Sequence, residues 1–287
     1  MRALTVQPGQ ANSARVEDVP EPDEAEGAIV ARTLGVGICG TDLEIVSGAY
    51  GWAPKGRERL IIGHESLGAV EEAPAGSGFA RGDLVVGIVR RPDPVPCSSC
   101  AAGEWDMCQN GRYTERGIKE RNGYCAERFR IEPAFAVRVD PALGANAVLL
   151  EPTSVVAKAW DHIERIGHRV LWSPRRVLVT GAGPIGLLAA LLGRQRGLEV
   201  HVLDRVTSGP KPALVRDLGA TYHSGDIKAL GFAPDIVVEC TGAAAVLVDV
   251  MELAAPDGVV CLAGVSSGGR SISLDIGVMN RDLVLRN

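Results

Sequence analysis

Aromatic side chains are scarce, at 4% of the chain, while glycine reaches 35 residues. That balance fits a fold with many turns and an α/β half. No apolar run is long enough to span a membrane, and the opening stretch from Met1 to Pro8 has no apolar signal core. The expectation is a cytoplasmic protein with reduced thiols and no membrane partner. Positive charge is not in excess either. The formal net charge is -5, with Lys and Arg scattered, so no nucleic-acid partner is expected. The cysteines number seven, an odd count, which points to metal binding or burial rather than to a disulfide framework. Internal repeats and low-complexity tracts are also absent.

What is present divides into two textures, and a chain of 287 residues has room for two cores. Up to about residue 150, short apolar runs (Gly27–Thr33, Leu67–Val70, Asp83–Val89) alternate with Gly, Pro and acidic residues. That pattern predicts an all-β, barrel-like domain. From Ser154–Ile166, read as a helix, strands and helices alternate. The strands are Val177–Thr180, Leu198–Leu203, Asp235–Glu239 and Gly258–Ala263, and the helices are Leu187–Arg196, Ala213–Leu218 and Ala244–Ala254. Regular alternation predicts a parallel sheet with helices on both faces. The boundary falls near Glu151–Ser154. Leu283–Leu285 reads as one further strand. An apolar strand with no polar tail is an odd ending, so a truncated chain is expected.

The second half is built around Val177–Asp204. A β-branched strand leads into Gly181-Ala182-Gly183-Pro184-Ile185-Gly186, a helix follows, and Asp204 stands at the end of the next strand. Gly181 allows a tight turn, Gly183 lets a pyrophosphate approach, and Gly186 lets the helix pack on the sheet. The helix N-terminus would hold phosphates. Strand, loop, helix and acid in this order make a dinucleotide site. Asp204 suits the ribose hydroxyls of NAD and repels the extra phosphate of NADP. Arg205 or Lys211 could offset that repulsion, so NAD is favoured and use of both is the competitor.

The first half carries scattered metal-type residues. Cys39-Gly-Thr41-Asp42, Gly63-His64-Glu65 and Glu151-Pro152 offer Cys, His and Glu, a set that suits a catalytic zinc with one open position. Taken singly, each has a plainer reading: a buried Cys, a hydrogen-bonded His, a solvated turn. Cys97, Cys100 and Cys108 resemble a structural zinc loop, but such sites take four ligands. Asp93 is the candidate fourth. Cys125, Cys240 and Cys261 read as buried packing residues.

These motifs occur together in the order found in zinc-dependent medium-chain alcohol dehydrogenases. Arg90-Arg-Pro92, Tyr113–Ile118, Gln195-Arg-Gly197 and Asn280–Leu285 are most similar to the glucose 1-dehydrogenase branch. The resemblance covers the whole chain. It implies an α/β fold, with a strand-rich GroES-like catalytic domain over residues 1–152 and a Rossmann doubly wound parallel-sheet domain over 153–287. It implies a catalytic zinc on Cys39, His64 and Glu151, with Glu65 as a close or alternate ligand and Asp42 orienting His64. Thr41 would bond the substrate hydroxyl and relay its proton. Glu115 would contact a sugar hydroxyl, the alternative being an exposed loop acid, and Glu151 would also face the substrate. The implied reaction is oxidation of D-glucose to gluconolactone with hydride transfer to NAD or NADP, and family members form dimers or tetramers. The chain departs from the family in two ways. Pro94 stands where many relatives have the first of four lobe cysteines, and relatives continue past Asn287. A polyol, threonine or simple alcohol as substrate, a zinc-free reductase, and a non-catalytic nucleotide-binding fragment are the competing readings.

Overall fold

A computed structural model describes residues 1–265, 271, 273 and 275–286. Its contacts separate the chain into two units, Met1–Glu151 and Pro152–Asn287.

The first unit is built mainly of antiparallel strands. Its central sheet orders Arg128–Ile131, Ile29–Gly37, Glu65–Glu72, Leu84–Gly87 and Ala136–Arg138 side by side. Ile29, Ala31, Val70, Val85, Phe129 and Ile131 pack beneath it with the fully buried Tyr124. Ile29 and Ala31 lie two residues apart, the strand period that sends them to one face. The register slips between Thr33 and Gly35, so the far end of this long strand bends before it reaches Gly37. That end runs straight into Cys39, and its neighbour starts at Glu65 beside His64. Sheet pairing thus delivers both metal-type motifs to one place: Gly37 is opposite Glu65. A smaller sheet sets Thr114–Arg116 between Arg90–Arg91 and Glu120–Arg121.

The second unit is a five-stranded parallel sheet ordered Thr221–His223, Glu199–Leu203, Arg176–Thr180, Ile236–Glu239 and Val259–Leu262. Numbered within the unit, the order is 3-2-1-4-5, the doubly wound arrangement whose switch point binds nucleotides. Alternate residues of one strand enter different cores. Val177 and Val179 pack with Trp160, Ala189 and Val200, whereas Leu178 packs with Val237 and Val250. Both faces are therefore covered, which is why the strands read as continuous apolar runs.

Helix limits differ from expectation in informative ways. The expected Ser154–Ile166 helix begins earlier, at Leu150, and ends at Gly167. Pro152 sits in its first turn, where a missing N–H costs no hydrogen bond. Glu151 is therefore a helical residue and not part of a solvated turn. Val156, Trp160 and Ile163 form the buried stripe, and Val155 faces out. Leu283–Leu285 is not a strand but lies within the helix Ile276–Arg286. Three apolar residues carry no periodicity that separates strand from helix. Asp275 settles the matter locally, because its carboxylate accepts from the N–H groups of Gly277 and Val278. The Thr221–His223 strand was not anticipated, being only three residues long. Among the described residues no helix is long and apolar enough to cross a membrane.

Trp160 is 1% exposed and its ring lies where a side chain at Gly193 would have to go. We expect Trp160→Ala to cost about 3–5 kcal/mol by urea unfolding. A loss under about 1 kcal/mol would mean that this helix does not anchor the sheet.

Candidate active site

In the first unit, Cys39 caps the short helix Gly40–Val46, and Asp42 occupies its first turn. One Asp42 oxygen accepts from Cys39 N–H at 3.0 Å and the other from Gly63 N–H at 3.2 Å. That second oxygen also lies 3.5 Å from His64 Nδ1. Asp42 is 1% exposed, so it ties two loops together from inside. The other imidazole nitrogen, Nε2, lies 3.2 Å from Cys39 Sγ. The ligand atoms of Cys39, His64 and Glu65 all fall within 4.8 Å of one another. Glycines make this approach possible. A Cβ at Gly63, whose φ is +88°, would meet Cys125 Sγ and Val36, and a Cβ at Gly37 would strike the Glu65 carboxylate.

The electrostatics fit a cation site. Burial opposes charge on His64, but the Asp42 and Cys39 partners outweigh it and push the imidazole up to about 11. Burial alone would raise Asp42; hydrogen bonds from His64, Cys39 and Gly63 hold it below the usual carboxylate range. Burial raises Glu65. It also raises Glu151, to about 7, with the carboxylates of Glu65, Asp42 and Glu115 adding to the effect and His64 opposing it. The carboxylates gathered here raise one another, and the positive charge of His64 opposes that effect, as a bound metal cation would. His64 with Asp42 behind it has the form of a metal ligand oriented by a carboxylate. The residues present therefore fit zinc. Glu65 is the carboxylate grouped with Cys39 and His64. Glu151 lies close enough to feel the same charges but stands outside the group.

Thr41 follows Cys39 by two residues and is half-buried. Glu115 is not an exposed loop acid. It sits on a strand, its side chain is 12% exposed, and Arg90 Nε and Nη2 donate to its Oε1 at 3.0 and 2.9 Å. Arg90 Nη1 also donates to the Asp106 carbonyl oxygen at 2.6 Å, joining Glu115 to the cysteine lobe. In that lobe Cys97, Cys100 and Cys108 do converge. Backbone N–H groups of Gln109 and Cys100 draw the Cys97 thiol down to about 6. The expected fourth ligand is otherwise engaged. The Asp93 carboxylate accepts from Val95 N–H at 2.8 Å and from Arg112 Nε at 3.3 Å, and it does not belong to the sulfur group. A closed structural zinc needs four ligands, so the lobe does not fit one.

In the second unit the glycines behave as the spacing implies. Gly181 has φ +89°, a Cβ at Gly186 would fall 1.8 Å from the Gly181 carbonyl oxygen, and a Cβ at Gly183 would meet nothing. Gly183 caps the Pro184–Gln195 helix with Pro184 at its start, and Ile185 packs into the core. A cavity of about 880 Å³ opens here, lined among others by Gly181, Gly183, Asp204, Arg205, Lys211 and Thr241. Asp204 is already well engaged. It accepts from Ala182 N–H at 2.7 Å, Val206 N–H at 3.0 Å and Lys211 Nζ at 2.8 Å. Burial alone would raise its carboxyl, but Lys211 and these N–H groups hold it below the usual range.

Two features here were missed. Cys240 is half-buried and lines the cavity as well as packing, and its thiol is pushed up to about 12 by burial. Glu239, fully buried, accepts from Thr180 Oγ1 at 3.1 Å, Thr241 N–H at 2.7 Å and Gly242 N–H at 3.1 Å. It fixes the loop facing the glycine turn across the switch point. An acid closing the apolar run Ile236-Val-Val was the available signal.

A strand-rich unit with a Cys–His–Glu cluster and a 3-2-1-4-5 nucleotide sheet define a medium-chain dehydrogenase. Residues 25–141 match the alcohol dehydrogenase GroES-like domain, and residues 144–287 match the glucose dehydrogenase C-terminus. The glucose 1-dehydrogenase of Methanocella arvoryzae is 42% identical over 295 residues, covering 100% of this chain and 82% of that one. The structure of Haloferax mediterranei glucose dehydrogenase in complex with NADP, Zn and gluconolactone is 31% identical. It matches with a TM-score of 0.88 over 100% of this chain and 82% of that one. The alcohol dehydrogenase of Thermus sp. ATN1, at 23% identity and a TM-score of 0.76, shares the fold. The chain belongs to the zinc-dependent medium-chain alcohol dehydrogenase family, in its glucose 1-dehydrogenase branch.

Metal uptake should report the charge state of the cluster. With His64 raised to about 11, zinc must displace an imidazole proton throughout the neutral range. Below about 7 the Glu151 carboxyl also holds a proton. Zinc affinity, measured by calorimetry across pH, is expected to rise with pH and to rise more steeply below 7 than above it. A slope unchanged through 7 would place Glu151 outside the ligand set.

Proposed function

We propose that the chain oxidises D-glucose to gluconolactone and passes the hydride to NAD or NADP. The observation that carries this reading is the 42% identity, across the full chain, to a protein named glucose 1-dehydrogenase. The convergence of Cys39, His64 and Glu65 supports its zinc chemistry. We assign the two domains to residues 1–152, which bind metal and sugar, and 153–287, which bind the dinucleotide.

Zinc, when bound, supplies Lewis-acid activation of the sugar hydroxyl, and the nicotinamide accepts the hydride. Cys39 and His64 hold the metal, with Glu65 and Glu151 as the carboxylates available to complete the set. Asp42 fixes the His64 ring, so that Nε2 is presented toward Cys39. Thr41 bonds the reacting hydroxyl and relays its proton, accepting it while passing its own toward solvent. Glu115, held by Arg90, accepts from a sugar hydroxyl, and the partly desolvated carboxylate gains strength from its low exposure. Gly181, Gly183 and Gly186 shape the turn that receives the pyrophosphate, aided by the helix starting at Pro184. At the adenosine end, Asp204 serves the ribose of NAD. Lys211 offsets its charge and, with Arg205, makes room for NADP. The seven thiols, all free, fit a cytoplasmic setting.

Cys39→Ala and His64→Ala are each expected to abolish turnover while leaving dinucleotide binding, read by fluorescence or thermal shift, nearly intact. Asp42→Asn, which sets an amide NH2 against one of the two backbone N–H groups, should loosen the loops and lose at least about 10–100-fold in metal affinity or activity. Turnover that survived both ligand substitutions would remove zinc from the mechanism. A substrate panel in which a polyol or simple alcohol outran D-glucose would replace the sugar assignment.

A further inference from the structure

We propose that Cys97 and Cys100 form a reversible intramolecular disulfide, which makes the cysteine lobe a thiol-modification site. The lobe has the loop form of a metal knot, but among the described residues no fourth ligand joins its sulfurs. Three sulfurs converge, and the Asp93 carboxylate is spent on Val95 N–H and Arg112. Cys97 Sγ lies 3.6 Å from Cys100 Sγ. Cys97 precedes the helical turn Ser98–Ala101 and Cys100 lies inside it. Their spacing of three puts both side chains on one face of the turn. Closing the gap to a bond of about 2 Å asks for roughly 1.5 Å of side-chain movement. The Ala101 N–H to Cys97 carbonyl bond at 2.9 Å sets the turn that carries both side chains. Cys108 comes from a separate turn, Trp105–Met107. Both Cys97 and Cys100 are half-buried and so within reach of a small oxidant.

The oxidant is a low-molecular-weight disulfide such as glutathione disulfide. The Cys97 sulfur, having lost its proton, attacks one glutathione sulfur, and the S–S bond breaks. The first glutathione thiolate leaves and takes up that proton. The Cys100 sulfur then attacks Cys97 Sγ and expels the second glutathione, which leaves with the Cys100 proton. The dithiol loses two electrons, and one glutathione disulfide becomes two glutathiones.

The test is made on the whole chain, both zinc-loaded and chelator-treated. Each sample is equilibrated with glutathione disulfide, alkylated, digested and mapped by mass spectrometry. We expect the peptide carrying all three lobe cysteines to hold one alkyl group and to be two hydrogens lighter than the singly alkylated dithiol. Cys97 should be linked to Cys100, Cys108 alkylated, and the link lost on adding dithiothreitol. Cys108→Ser should keep the link. Cys100→Ser should instead trap glutathione on Cys97, a result that does not depend on activity. Alkylation of all three cysteines after oxidation would overturn the proposal. So would a Cys100–Cys108 link, or a zinc held by the lobe that protects all three sulfurs.

Discussion

Asp42 is the residue on which the first unit's chemistry depends. Its buried carboxylate holds Cys39 N–H, Gly63 N–H and the His64 ring at once. A buried carboxylate is costly unless its lone pairs are filled. Two backbone donors, one from each loop, fill them here with the His64 ring 3.5 Å away, and satisfying Asp42 brings Cys39 and His64 together. Glycine at 37 and 63 keeps the approach open, since a Cβ at Gly37 would strike the Glu65 carboxylate and one at Gly63 would meet Cys125 Sγ and Val36. The long bent strand Ile29–Gly37 and its partner Glu65–Glu72 carry the two loops to the meeting point.

A parallel logic organises the second unit. Glu239 is fully buried at the end of one central strand and takes hydrogen bonds from Thr180, Thr241 and Gly242. It therefore fixes both lips of the switch point, the glycine turn on one side and the Thr241 loop on the other. Asp204 closes the far wall in the same way, through Ala182, Val206 and Lys211. Each unit thus uses a carboxylate inside the protein to set backbone geometry around a site meant for a charged guest.

The parts legible in the sequence were those with short-range causes. The glycine loop, its preceding strand and Asp204 lie within one contiguous stretch, where spacing alone reports the turn, the close approach and the acid. Cys39, His64 and Glu151 are far apart in sequence; their residue types suit zinc as a set, and the family resemblance gave them one site. Choosing between Glu65 and Glu151 depends on where a strand start and a helix start fall in space, which spacing does not encode. Glu239 escaped notice because its role comes from burial under loops contributed by other segments. Leu283–Leu285 was misread because three apolar residues carry no period, and the decisive signal was the Asp275 cap eight residues earlier. The cysteine lobe was visible as a pattern, but the engagement of Asp93 with Val95 and Arg112 was not.

Zinc-dependent hydride transfer from glucose is tested most directly on the unmodified chain. Reduction of NAD and of NADP would be followed at the nicotinamide absorbance band with D-glucose present, before and after a zinc chelator and again after zinc is restored. Reduction that depends on glucose, stops with the chelator and returns with zinc is the expected result. Reduction indifferent to the chelator would contradict a catalytic metal at Cys39 and His64.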